Sequence, residues 1–214
     1  MNIFMTIFFA LLLAVGIALL IVLQLPAFGR APRGKRLERI KQSPHYRNGR
    51  FHNIRNAPTL TSSKSLVQRM KEFIFDRPRR LKPSTPLPFV HTSLSTLAQA
   101  NDDVLVWLGH SSVFLKTDDL TFLVDPVFTT ASPFPWMFSP FKGSNGFTIE
   151  EVPPIDVLII THDHYDHLDY RTIKRLRQRV SRVVCPLGVG EHLERWGYPS
   201  DAITELDWDE SVLL

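Results

Sequence analysis

No charged side chain occurs from Ile3 to Leu25, and only Thr6, Gly16 and Gln24 interrupt an otherwise apolar run. Such a stretch has few conformations open to it. In hydrocarbon every backbone N–H and C=O must be satisfied within the segment, which leaves a helix, and about 20 residues suffice to cross a bilayer. A helix buried in a soluble core is rarely apolar all round for so long. The competing reading is a cleaved export signal, for which Ala27-Phe28-Gly29 offers a small-x-small site. Such signals want a basic start and a shorter core, whereas nothing basic precedes Arg30. The expectation is an uncleaved single-pass anchor over residues 1–29.

Arg30, Arg33, Lys35, Arg36, Arg39 and Lys41 follow closely, so the positive-inside rule places what comes next in the cytoplasm. Long domains override that rule, which keeps an exported, periplasmic or outer-membrane location as the alternative. The formal net charge of +4 hides an asymmetry: from Arg30 to Lys82 there are 16 Lys/Arg against three carboxylates, whereas residues 83–214 carry 9 basic and 18 acidic side chains. Residues 30–88 therefore read as a basic juxtamembrane tether, with 30–82 expected to lie on anionic headgroups. Nucleic acid is the other partner for a basic arm and is disfavoured here, because the preceding run already implies a bilayer. Within the tether Leu66, Met70, Phe73 and Ile74 share one helical face, suited to the membrane interface or to packing on the domain. Pro83, Pro86 and Pro88 make a stiff connector over Lys82–Phe89.

Residues 89–214 read as strands first and then as strands alternating with helices. Val104–Leu108, Val113–Thr117 and Leu120–Val124 are short apolar runs, with Asp118-Asp119 as a turn. The loop from Phe128 to Gly146 carries Phe134, Trp136, Met137, Phe138 and Phe141. It suits a lipid-contacting lid or plain packing on its own domain. Ile155–Ile160 is a buried strand, and Asp169 is a candidate N-cap for a helix through Val180, with Leu168, Ile173 and Leu176 inward. Val183-Val184, a helix at Val189–Trp196 and a strand from Ile203 to Leu206 complete the pattern, and Cys185 reads as a small buried strand residue with no partner for a disulfide.

Directly after the strand at 155–160 comes Thr161-His162-Asp163-His164-Tyr165-Asp166-His167-Leu168-Asp169. In extended backbone residues i and i+2 project to one side, so His162 and His164 can offer imidazoles to one cation, while Asp166 and His167 face a second as the chain turns. Imidazole and carboxylate without thiolate suit zinc, with manganese or ferrous iron also possible. Two such ions make a nucleophile of a shared water, and the reaction class is hydrolysis.

His162-x-His164-x-Asp166-His167 after a hydrophobic strand resembles the signature of the metallo-β-lactamase superfamily of binuclear metallohydrolases. Val152-Pro153-Pro154-Ile155-Asp156, Trp107-Leu108-Gly109-His110-Ser111-Ser112, Asp125-Pro126-Val127-Phe128 and Glu205-Leu206-Asp207-Trp208 are similar to the branch of N-acylphosphatidylethanolamine-hydrolysing phospholipases D. The resemblance implies an α/β fold, the N-terminal half of an αββα sandwich, behind a transmembrane helix. It also implies two zinc ions and a phospholipid or other small ester as substrate, with a lactone or a nucleic acid backbone as alternatives. Asp125 and His110 fall near the metals, where Asp125 would orient a ligand imidazole; a turn-capping Asp and a loop His are the plainer readings. The family's later ligands, a third His, a bridging Asp and a last His, have no counterpart after His167, since His192 comes too early. The 214-residue chain is thus expected to be an N-terminal half, inactive alone.

Overall fold

A computed structural model describes residues 3–55, 63–76, 82–144 and 146–214. The apolar run forms helix α1 (Ile3–Leu23), 21 residues of mean hydropathy 3.0 with none of them buried. It is long and apolar enough to cross a membrane. A 3₁₀ turn (Pro26–Phe28), helix α2 (Gly34–Gln42) and a hairpin of β1 (Tyr46–Arg47) and β2 (Arg50–Phe51) follow. Helix α3 (Leu66–Phe75) opens on a capping box in which the Ser65 and Gln68 side chains each accept from the other's backbone N–H. Leu66, Met70 and Ile74 remain more than half exposed, so these three side chains are not buried against the domain. The Phe73 side chain, and Arg77, Arg79 and Arg80 of the expected tether, lie outside what is described.

Beyond α4 (Leu94–Ala98) the chain builds one six-stranded sheet from β3 (Val104–Gly109), β4 (Ser112–Thr117), β5 (Leu120–Val124), β6 (Ile155–Ile159), β7 (Val180–Pro186) and β8 (Ile203–Leu206). The strands lie side by side in chain order. The first two pairings are antiparallel and the last three parallel. Asp118 and Asp119, at φ 48° and 61°, form the two-residue turn between β4 and β5 that matches the twist of paired strands. Helices α5 (Tyr170–Leu176) and α6 (Gly190–Arg195) supply the crossovers.

Pattern and register agree across the sheet. Val106, Phe114, Leu123, Leu158, Val183 and Ile203 are partners in one continuous row through all six strands. Phe114, Leu123, Leu158 and Val183 are fully buried, under Leu94 of α4, Ile173 and Leu176 of α5 and Leu193 of α6. Each such side chain contributes about 1.5–3 kcal/mol. A one-residue slip of any strand would turn this row outward, which fixes the register. The other face is open at its edge, where Leu105 and Trp107 are 69% and 66% exposed, as expected for a sheet covered by helices on one side.

Two boundaries differ from the pattern reading. Helix α5 stops at Leu176, a 3₁₀ turn takes Arg177–Arg179, and Val180 opens β7 instead of closing the helix. Val180 pairs with Ile155 in parallel register, and that non-local pairing outweighs local helix preference. The larger difference concerns the basic segment, since residues 30–52 do not stand clear of the domain as a tether. Arg36 bonds Glu205, Glu191 and Glu194 at 2.7, 2.8 and 2.8 Å, and Arg39 reaches Glu210 at 2.7 Å. Ile40 is buried, and Phe51 and His45 pack against Trp208. The carboxylates that hold this segment lie more than 150 residues downstream, where composition could not pair them with it.

Candidate metal centre

β5 and β6 run parallel as neighbours, so the residues leaving their C-terminal ends meet. Asp125 follows β5 and Thr161 follows β6. The Asp125 N–H donates to Ile159 O at 3.0 Å, its backbone is left-handed at φ 41°, and its side chain is buried. That conformation aims the carboxylate at the loop after β6. It accepts from the Thr161 N–H at 2.8 Å, the Thr161 hydroxyl at 2.5 Å and His167 Nδ1 at 2.8 Å. Ser112 fixes the turn from below, its hydroxyl donating to Asp125 O at 2.8 Å and accepting from the Val127 N–H at 2.9 Å.

These contacts set tautomers. A carboxylate only accepts, so His167 carries its proton on Nδ1 and presents an Nε2 lone pair. The one proton of the Thr161 hydroxyl goes to Asp125, which leaves its oxygen to accept from His162 Nδ1 at 3.0 Å. His162 therefore also presents Nε2. Burial, with His167 and His164 as neighbours, holds His162 below the ordinary imidazole range, so it is a neutral donor at neutral pH. The His162 ring centroid lies 3.9 Å from that of His167 and 4.7 Å from that of His164.

Asp166 stands on the other side of His167. Its Oδ2 is 4.0 Å from His167 Nε2 and 3.1 Å from His110 Nε2, and its carbonyl accepts from Ser111 Oγ at 3.0 Å. Burial pushes the Asp166 carboxyl up, but bonds from its backbone and from His110 outweigh this and leave it below its usual value. Among the described residues, His110, Asp166 and His167 form a cluster whose ligand atoms lie within 4.8 Å of one another. His110, which family likeness sets near the metals, thus stands against the Asp166 carboxylate. His162 meets that cluster through its ring contact with His167, and His164 packs on His162 in turn. The donors are imidazoles and a carboxylate, with the lone Cys185 buried away in β7, and this set fits zinc, manganese or ferrous iron.

Asp169 ties the loop down. Buried at the N-terminus of α5, it accepts from the Arg171 N–H at 3.1 Å, the Thr172 hydroxyl at 2.6 Å and the Thr129 N–H at 2.9 Å. The cap that sequence foresees thus also anchors the start of the aromatic loop. His192, on α6, accepts from the Arg30 N–H at 2.8 Å through Nδ1, and its Nε2 lies 3.9 Å from Asp163, whose carboxyl it holds low. Close approach there requires Gly29: a Cβ at that position would fall 1.8 Å from His192 Nδ1. An open cleft of about 680 Å³ runs from Thr161 and His162 to Leu37, Ile40, Phe51 and Trp208. Thr161, Ser111 and Ser112 lie in stretches that carry the family likeness, but the sequence assigns their hydroxyls no role. Their hydroxyls act through hydrogen bonds to residues distant in the chain, and spacing carries no signal of that.

Residues 121–214, which contain both Asp125 and the whole His/Asp loop, match the family described as "Beta-lactamase superfamily domain". This part of the chain belongs to the metallo-β-lactamase superfamily. An uncharacterized protein of Mycobacterium tuberculosis (strain ATCC 25618 / H37Rv) is 34% identical over 175 residues, covering 80% of this chain and 46% of the relative. The N-acyl-phosphatidylethanolamine-hydrolyzing phospholipase D 1 of Caenorhabditis elegans is 32% identical over 115 residues, 49% of this chain and 31% of that protein. A solved structure of CmlA, a diiron beta-hydroxylase from Streptomyces venezuelae, is 35% identical, covers 53% of this chain and 22% of its own, and superposes with a TM-score of 0.42. The chain spans less than half the length of these relatives. By their names, the proteins it resembles include a phospholipase D and a diiron beta-hydroxylase.

Proposed function

We propose that the chain is the membrane-anchored part of a binuclear metal-dependent hydrolase whose substrate is the phosphodiester of an N-acylated phospholipid. The observation that carries the metal reading is the Asp125 carboxylate, which fixes Thr161 and His167 together and leaves imidazole lone pairs beside Asp166. His162 and His164 would hold one cation and Asp166 and His167 the other, with His110 at the Asp166 carboxylate. Zinc is the favoured metal, manganese and iron being compatible with the same donors. Bound metal supplies Lewis acidity and a water acidic enough to ionise near neutrality.

The residues of this chain orient and exclude. Asp125 and Thr161 keep His167 and His162 in one tautomer, and His110 keeps Asp166 ionised. The apolar cleft opening beside His162 suits an acyl chain, with Leu37, Ile40, Phe51 and Trp208 as its walls. The C. elegans relative hydrolyses N-acyl-phosphatidylethanolamine, by its name, and supports the same substrate class here. Helix α1 would anchor the protein with the domain in the cytoplasm, and the exposed Lys35 and Lys41 would face anionic lipid beside it.

Metal analysis of the purified full chain tests the site. Bound zinc, lost on His164→Ala and on Asp166→Ala, is the expected result; a metal content that neither substitution lowers refutes the ligand set. Release of phosphatidic acid from N-acyl-phosphatidylethanolamine in mixed micelles, by a longer relative that carries the same His/Asp loop, tests the substrate. Cleavage of a lactone or of RNA without any lipid product moves the substrate to those alternatives.

A further inference from the structure

From Val127 to Ile149 the only charged side chain is Lys142, although residues 83–214 as a whole are acidic. This stretch contains an ordered loop whose root and tip differ sharply in environment. The root is held by Thr129 on Asp169 and by the Thr130 hydroxyl donating to Met137 O, and the Ala131 N–H meets Phe138 O at 3.3 Å. The tip faces solvent: Trp136 is 75%, Phe138 64% and Phe141 44% exposed. Plain packing on the domain therefore does not account for these rings.

Their neighbour decides the partner. Phe28 lies five residues beyond the end of α1, in the 3₁₀ turn that the chain enters on leaving the apolar helix. Its ring meets Phe134 edge-on at 5.9 Å and Tyr165 of the metal loop at 6.4 Å, and Phe134 stacks on Trp136 at 5.3 Å. The turn itself is clamped to α6: Trp196 Nε1 donates to Pro26 O at 2.8 Å, and Arg195 donates to Gln24 O and Gly29 O at 2.6 Å each. The end of the apolar helix, the aromatic loop and the metal loop are thus one connected surface.

We propose that the loop tip, Trp136, Met137, Phe138 and Phe141, inserts into the lipid interface beside α1 and seats the His/Asp loop against the bilayer. The inference rests on the reading of α1 as a membrane span. Aromatic rings with one adjacent lysine are the composition of an interfacial anchor, and such groups reach about 5–10 Å into the headgroup and acyl boundary. A lipid phosphodiester would then meet the site from within the leaflet.

The test uses the full chain reconstituted in vesicles of phosphatidylcholine and phosphatidylglycerol. An environment-sensitive fluorophore is attached at Trp136→Cys, at Phe138→Cys as a second site, and at Asp102→Cys at the opposite end of the sheet; Cys185 is buried and takes no label. Quenching by lipid-borne nitroxide is expected to be about threefold or more stronger at 136 and 138 than at 102, as for a group below the headgroups. Equal quenching at all three positions, or emission at 136 and 138 typical of water, overturns the inference. Alkaline carbonate extraction of the same samples separates the two readings. Protein retained in vesicles without selective quenching keeps the span and rejects the loop; extracted protein with selective quenching does the reverse, and extracted protein without it rejects both.

Discussion

Asp125 and Thr161 do for the metal loop what its own spacing cannot, because they choose which nitrogen each imidazole offers. Asp125→Ala is expected to weaken zinc binding about 10–100-fold, the usual cost of losing a group that orients a metal-bound histidine. Thr161→Val keeps the backbone bond to Asp125 and loses only the hydroxyl, so its loss should fall at or below about 10-fold. A competitive chelator titration measures both, and the reverse order of effects would refute the proposed relay. At this scale the approach of the His162, His164 and His167 rings was legible, because chain-local spacing places them together in one loop with Asp166. Asp125 was legible only as an expectation carried by family likeness. Ser111, Ser112 and the hydroxyl of Thr161 were not, since their bonds to Asp166 and Asp125 span 13 to 55 residues of a fold that spacing does not encode.

Elements join the site to the rest of the protein through two buried polar knots. Asp169→Ala removes the cap of α5 together with the hold on Thr129 and Thr172, and is expected to cost about 1–3 kcal/mol, read as a lower denaturation midpoint. The Arg36 knot is electrostatic. Arg36→Met leaves Glu205 buried without its counter-charge, while Glu191 keeps Arg30 at 2.6 Å, so the docked arrangement of α2 should lose about 3–5 kcal/mol and its amides should exchange faster with solvent. The same contact gives a pH dependence. The bond from Arg36 holds the Glu194 carboxyl below its ordinary value. A value depressed by folding gives a stabilisation that is complete above the unfolded-state figure of about 4.3 and vanishes as pH falls through the lower folded one. Proteolysis of α2 that rises below pH 4, with the sheet still intact by circular dichroism, is the expected signature. Strands β3 to β6 and the start of α5 were readable from short apolar runs, a turn pair and an N-cap. The end of α5 was not, because pairing of Val180 with Ile155 is a tertiary event, and neither was the docking of residues 30–52, whose acidic partners lie far along the chain.

Taken whole, the molecule has an apolar helix long enough to cross a membrane, a clamped turn and a sheet with the His/Asp loop at its parallel strand ends. A charge in the middle of α1 tests the first of these. Leu12→Arg adds about 2.5–3.5 kcal/mol to insertion at the helix centre and should shift the protein into the alkaline-extractable fraction. If that variant stays as firmly in the membrane fraction as the parent, α1 is not what holds the protein there. The order of the strands has a consequence of its own. Each strand of the sheet lies beside the one made just before it, so no strand must wait for a later one to find its place. At about 5–20 residues per second a ribosome would release them one by one over several seconds, each settling on an edge already built.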